Sequence, residues 1–304
     1  MTAQAHHPVT AEHRARLDLA ARRPFEWHHS LRFICGFPAT RDEQIVDGDH
    51  LIKAWRLADH SLVTRIGPDN VGSLQVDVEA TGEVTDAVRE AVADRLRFYL
   101  SLDDDLAAFD RAARQDPDFA PIAARMHGYH QVKFPTPVEN LVWSILAQRS
   151  PIPVAREVKL RLMRHLNPPV EAFGSVLQPF PSLDQLAGLE QAELTEVLRN
   201  ERKARYLYGT IQGLTRLDED FLRHGDVAAV EQALLALPGI GPWSSVFVLI
   251  RGLGRMEYLP DDAELLRAAR TAYGPQVTTE DLPVLAAPYA PLQGYWAHYL
   301  RAGQ

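Results

Sequence analysis

The chain has 304 residues and 34.0 kDa, with 46% hydrophobic and 24% charged residues. That length suits about two domains of ~150 residues and allows a sizeable core. No run of ~18 uncharged apolar residues occurs, which excludes a membrane-spanning helix.

Residues 1–25 lack an apolar signal core and a cleavage site, so the expected location is cytoplasmic. A single cysteine, Cys35, excludes an internal disulfide, a cysteine-rich zinc site and a four-cysteine iron–sulfur cluster. Cys35 lies in the apolar run 31–37 and is expected to be a small core residue. His127 and His130 come nearest to a metal pair, and they read as polar surface. The net charge is -8, concentrated early. Residues 1–120 hold 14 Lys and Arg against 21 Asp and Glu, a net -7; residues 121–304 hold 18 against 19. The second part can therefore still carry a local basic patch.

In chain order, residues 1–23 read as a polar leader, partly disordered, with at most a short helix. Four strand-like runs follow: Ser30–Phe37, Leu51–Arg56, Ser61–Ile66 and Ser73–Glu79, separated by Asp-Gly and Gly-Pro-Asp-Asn turn signals. Thr85 caps a helix in which Val88, Ala91, Val92, Leu96 and Tyr99 recur at helical spacing. Residues 24–116 thus predict an antiparallel sheet with one or two helices on a face. Residues 117–304 predict helices throughout, with no convincing strand. These include one opened by Pro135-Thr136-Pro137, then Val154–Leu166, Ser182–Leu189, Glu193–Leu198, Arg202–Leu214 and a last helix over Leu292–Leu300. The fold class is α+β.

The informative stretch is Leu237-Pro238-Gly239-Ile240-Gly241-Pro242-Trp243-Ser244-Ser245. Gly239 and Gly241 permit backbone angles that a side chain forbids, and Pro242 suits the first turn of a helix. Two helices joined by so tight a turn, a hairpin over 233–250, expose consecutive amides to an anion such as a DNA phosphate. The plain alternative is an ordinary helical hairpin. Nineteen positions after Trp243 comes Asp262, in Leu259-Pro260-Asp261-Asp262. One of these aspartates caps the following helix. A helix N-terminus also favours an ionised carboxylate, suited to stabilising developing positive charge.

The hairpin, Leu-Pro-Asp-Asp at this spacing and the Pro-Thr-Pro…Ile145-Leu146-Ala147-Gln148 segment together resemble the helix-hairpin-helix DNA glycosylase superfamily. Within it, the chain is most similar to the AlkA-type DNA-3-methyladenine glycosylases, over roughly 24–304. The resemblance implies an α+β N-terminal domain before a helical core of two subdomains, and a monomer acting on damaged double-stranded DNA. It implies base flipping and excision of an alkylated purine, with Asp262 as the catalytic carboxylate and Asp261 as its capping or surface neighbour.

Relatives that also cut the strand carry a lysine where Trp243 stands. The four lysines here, Lys53, Lys133, Lys159 and Lys203, all lie elsewhere, so hydrolysis without strand cleavage is expected. Trp243 and Phe247 match base-stacking aromatics of the family. A second stacking aromatic is expected where Leu292 stands; either Tyr289 or Tyr295 compensates, or the pocket is less purine-selective. Gln148 and Arg149 match the residues inserted into the flipped-base gap. Arg149 replaces an apolar wedge, and it is either the inserting residue, a phosphate contact or a plain surface arginine. Gly239, Ile240, Gly241 and Ser244 match the phosphate-binding hairpin, with Arg251 and Arg255 as generic phosphate contacts.

The carbonyls of Leu235, Leu237 and Ile240 match positions that hold a structural Na+ or K+; no catalytic cofactor is implied. Two other readings remain open: a glycosylase for a deaminated or oxidised base, and a non-catalytic damage binder built on the same hairpin.

Overall fold

The computed structural model describes residues 7–40, 43–57, 59–69, 72–260 and 262–303. Five strands form an antiparallel sheet in the order β2-β6-β5-β4-β3: β2 (His13–Leu19), β3 (Gln44–Asp47), β4 (His50–Leu57), β5 (His60–Pro68) and β6 (Leu74–Ala80). Three of the four predicted strands are β4, β5 and β6. Leu51, Leu62, Ile66, Val76 and Val78 bury one face of the sheet under helix Asp86–Leu100. That helix is capped by Thr85 accepting from the Val88 amide, as its spacing implies.

Four expectations are overturned. From residue 7 on, the leader forms strands: β2 pairs along its whole length with β6, and β1 (Val9–Thr10) runs parallel to β7 (Val170–Ala172). Its polar look arises because β2 is an edge strand, so its alternate residues face water. The region after 117 is not purely helical, because β7 and β8 (Ser175–Leu177) form a hairpin there, too short to show a period. The run Ser30–Phe37 lies within and just beyond helix Trp27–Gly36, which buries Trp27, Leu31 and Ile34 at helical spacing. Cys35, on its outer face, is exposed rather than part of the core.

Two helical cores follow. One gathers Leu141, Ile145, Leu162, Leu207 and Leu234; the other gathers Phe109, Leu265, Tyr289, Trp296 and Tyr299. Helix Pro242–Leu253 packs into both, with Val248 and Leu249 in the first and Ile250 in the second. Each such apolar side chain contributes about 1.5–3 kcal/mol by burial, which fixes this helix as the shared wall between the cores. Among the described residues, no helix is long and apolar enough to cross a membrane.

Candidate active site

A cavity of about 870 Å³ opens where this shared helix meets helix Trp27–Gly36 and the last helix, Gln293–Ala302. Its volume falls within the range of sites that enclose a small ligand. Trp243, Phe247 and Arg251 recur at intervals of four along one face of helix Pro242–Leu253, and all three line it. Trp243 is 58% exposed at the mouth. Its ring stacks on Phe247 at 5.3 Å between centroids and 8° between planes.

Asp262 is both a helix cap and a cavity residue. Its Oδ1 accepts from the Leu265 amide at 2.9 Å, which fixes the N-terminus of helix Ala263–Tyr273. Its Oδ2 accepts from Arg301 Nη2 at 2.7 Å. The capping and the functional readings are therefore compatible. Asp261 lies outside the described residues.

The opposite wall comes from the element misread as a strand. Phe33 and Phe37 stack at 5.3 Å and hold the Arg251 guanidinium over their faces, 4.5 and 5.0 Å from the centroids. Arg251 is thus not a phosphate contact. It is 9% exposed, its Nη2 has no hydrogen-bond partner, and burial lowers its pKa to about 10. Next to it, His298 packs between the rings of Tyr129 and Phe33, and its Nε2 is also unpartnered. Burial, with Arg251 and Arg301 nearby, pushes the His298 pKa well below the usual imidazole range.

Other sequence-derived candidates lie elsewhere. Tyr289 is buried in the second helical core, where its hydroxyl donates to Asp116 Oδ2 at 2.8 Å. Tyr295 is also buried, donating to Asp104 Oδ2 at 2.5 Å. Leu292 packs against that same core, so neither it nor the two tyrosines line the cavity. Phe33 and Phe37 supply the second aromatic wall instead. Their contribution depends on a helix more than two hundred residues away in sequence, so local spacing near 292 carries no sign of it. Arg255 turns inward to Gly225 O at 2.9 Å and Glu257, and it does not face outward as a phosphate contact would. His130 is buried between the carbonyls of Ser101 and Pro24, not at the surface.

The hairpin takes its shape mainly from one glycine. Gly239 has φ +83°, and a Cβ there would sit 2.8 Å from the Tyr206 ring. Gly241 has φ -98° and open space around a Cβ, so its conformation does not require glycine. The Ile240 amide is engaged by Leu237 O at 3.1 Å and is not an anion donor. Among the described residues, the amides of Gly239, Gly241 and Ser244 have no protein partner. Gln148 ties its own turn to the hairpin, donating to Gly239 O at 2.7 Å. Arg149, next along, is exposed with φ +50°, an uncommon angle for a side chain-bearing residue. Lys203 fixes that turn through Leu146 O at 2.5 Å and Ser150 Oγ at 2.6 Å. The other three lysines are buried, and no lysine lines the cavity.

No family model matches the chain. It is 24% identical over 217 residues to the DNA-3-methyladenine glycosylase of Bacillus subtilis, covering 70% of this chain and 72% of that one. The fold is that of the 3-methyladenine DNA-glycosylase from Archaeoglobus fulgidus, with TM-score 0.75 and 20% identity over 94% of this chain and 97% of that one. It is also that of the Clostridium acetobutylicum 8-oxoguanine glycosylase/lyase in complex with double-stranded DNA, with TM-score 0.66 and 17% identity over 91% of both chains.

Proposed function

We infer that the chain, an AlkA-like member of the helix-hairpin-helix glycosylase superfamily, is a DNA-repair glycosylase that flips alkylated purines from duplex DNA and excises them by hydrolysis. The observation that carries this reading is a carboxylate, Asp262, on the wall of an aromatic cavity beside a hairpin with free amides. The C1′–N bond breaks with its electron pair leaving on the base. Positive charge then develops on the sugar, and a fixed carboxylate favours that state. Water adds to C1′ and yields its proton to Asp262. Trp243 and Phe247 offer the flipped base a stacking surface, and the hairpin amides hold a phosphate of the same strand. Arg149 enters the space the base vacates or binds an adjacent phosphate. The chain acts as a monomer in this reading.

The cavity offers no amine nucleophile, so the enzyme leaves an abasic site uncut. A sodium or potassium ion at the hairpin would be held by the carbonyls of Leu235, Leu237 and Ile240. Among the described residues, the first and last accept no backbone amide, so hard oxygen donors are available. Such an ion would steady the hairpin and supply no chemistry. A pure damage binder would gain nothing from a carboxylate in the cavity, which counts against that reading.

The test is base release from methylated duplex DNA by the native enzyme and Asp262→Asn, with and without alkali. Release by the native enzyme alone, with breaks only after alkali, is expected. Breaks without alkali would reject the hydrolytic reading.

A further inference from the structure

We propose that Arg251, with His298 beside it, makes the cavity selective for uncharged base lesions that present a carbonyl oxygen or ring nitrogen acceptor, such as hypoxanthine and 1,N6-ethenoadenine, over the cationic 3-methyl and 7-methyl purines. The proposal rests on the glycosylase reading and ranks its substrates.

Charge around the cavity is the first argument. Asp262 is matched by Arg301 at 2.7 Å, and at the exposed rim Arg32 offsets Glu264. Arg251 is left over: among the described residues no carboxylate pairs with it, and it is nine-tenths buried. It remains protonated at neutral pH despite burial. His298, held neutral, adds no compensating charge. Among the described residues, the inner cavity therefore carries a net positive charge before any base enters. A cationic base would bring a like charge into a site with little water to screen it.

Stacking is the second argument. Aromatic faces ordinarily attract cationic bases. Here the faces of Phe33 and Phe37 already hold a cation, the Arg251 guanidinium. The Tyr129 ring, also on the wall, is covered by His298 at 4.9 Å; in the Trp243–Phe247 pair, Trp243 is mostly in water, where such attraction is weakest.

Hydrogen bonding is the third. Arg251 Nη2 and His298 Nε2 are buried polar atoms without partners, and both side chains line the cavity. Leaving such groups unpaired is costly, so a ligand that satisfies them is favoured. Arginine offers only donors, so the atom it seeks is an acceptor. Neutral imidazole complements it, able to accept a ring N–H or donate to a second lone pair. An uncharged base with an acceptor edge meets both demands.

The experiment compares kcat/KM for duplexes carrying a single hypoxanthine or ethenoadenine with release of 7-methylguanine and 3-methyladenine from methylated duplex. Native enzyme, Arg251→Met and Arg251→Lys are measured, with thermal melting to confirm folding. Cationic bases leave neutral and uncharged ones leave as anions, so each rate is set against the spontaneous loss of that base; the expected result is the larger acceleration for the uncharged bases by native enzyme. The uncharged-to-cationic ratio should fall at least about 10-fold in Arg251→Met, with Arg251→Lys between, because it keeps the charge and loses the planar fork. A larger acceleration over spontaneous loss for the cationic bases by native enzyme overturns the proposal. So does an unchanged ratio in a folded Arg251→Met, while the glycosylase reading survives either result. Release of no base from either class removes that reading and the proposal with it.

Discussion

Asp262 divides its two carboxylate oxygens between two tasks: Oδ1 caps a helix through Leu265, and Oδ2 takes the guanidinium of Arg301 at 2.7 Å. The cap fixes the rotamer and the arginine fixes the tilt, so the group is held in place before substrate arrives. Asparagine also caps helices well. Asp262→Asn should therefore keep its helix cap and its affinity for DNA, losing at most about 1 kcal/mol of stability with the partly exposed Arg301 ion pair. Its excision rate should fall on the order of 10²–10³-fold, as when a single electrostatic stabiliser is lost. A variant that melts early would show that the cap, not the chemistry, had been disturbed.

Arg149 pays a conformational cost of about 1–2 kcal/mol for its left-handed backbone. Arg149→Gly should match or exceed the native melting temperature, and Arg149→Ala should not. On the proposed reading, both should raise KM for lesion duplex, because both remove the guanidinium assigned there to DNA. Calorimetry and steady-state kinetics on the two variants separate these effects.

The hairpin glycines should respond differently. Gly239→Ala forces a Cβ against Tyr206 at a positive φ, so it should lose about 1–3 kcal/mol of stability. Gly241→Ala meets no protein atom within 4 Å and should melt normally. It should nonetheless bind duplex DNA more weakly, since its methyl group would stand where a phosphate approaches the free amides. Urea titration and fluorescence anisotropy with a labelled duplex report the two outcomes.

Lys159 joins the N-terminal part to the helical cores from a fully buried position, 2.8 Å from Glu43 and 2.7 Å from Glu139. The two carboxylates raise its pKa against the opposing effect of burial. Lys159→Met leaves both acids buried without their partner and should cost about 3–5 kcal/mol. A triple variant that also replaces Glu43 and Glu139 with Gln should recover part of that loss in urea unfolding.

His298 gives a pH signature. Burial and its two arginine neighbours keep it neutral when folded, whereas the unfolded imidazole takes a proton near pH 6.5. Below that pH the unfolded chain binds the extra proton, so the residue's contribution is complete above it and is lost as pH falls. The drop in urea midpoint from pH 7.5 to 5.5 should be smaller in His298→Gln than in the native chain. Equal drops would mean that the folded imidazole titrates normally.

The sequence by itself determined the hairpin, its cap and the longer elements, because these depend on neighbours in the chain. Thr136 accepts from the Glu139 amide, Asp262 sits at its helix start, and Trp243 and Phe247 fall one turn apart on the same face. The run 30–37 looks like a strand because Phe33 and Phe37 add apolar positions on a second side of helix Trp27–Gly36, which both lines the cavity and packs against the cores. The sequence missed β1 and β2 because an edge strand needs few apolar residues, and its partners lie some 60 to 160 positions away. Whether Tyr289 or Phe33 faces the cavity, and whether Arg251 turns to solvent or inward, was decided only by tertiary structure. Those outcomes follow from which helices pack together, and a side chain's direction is set by the surface its helix must bury.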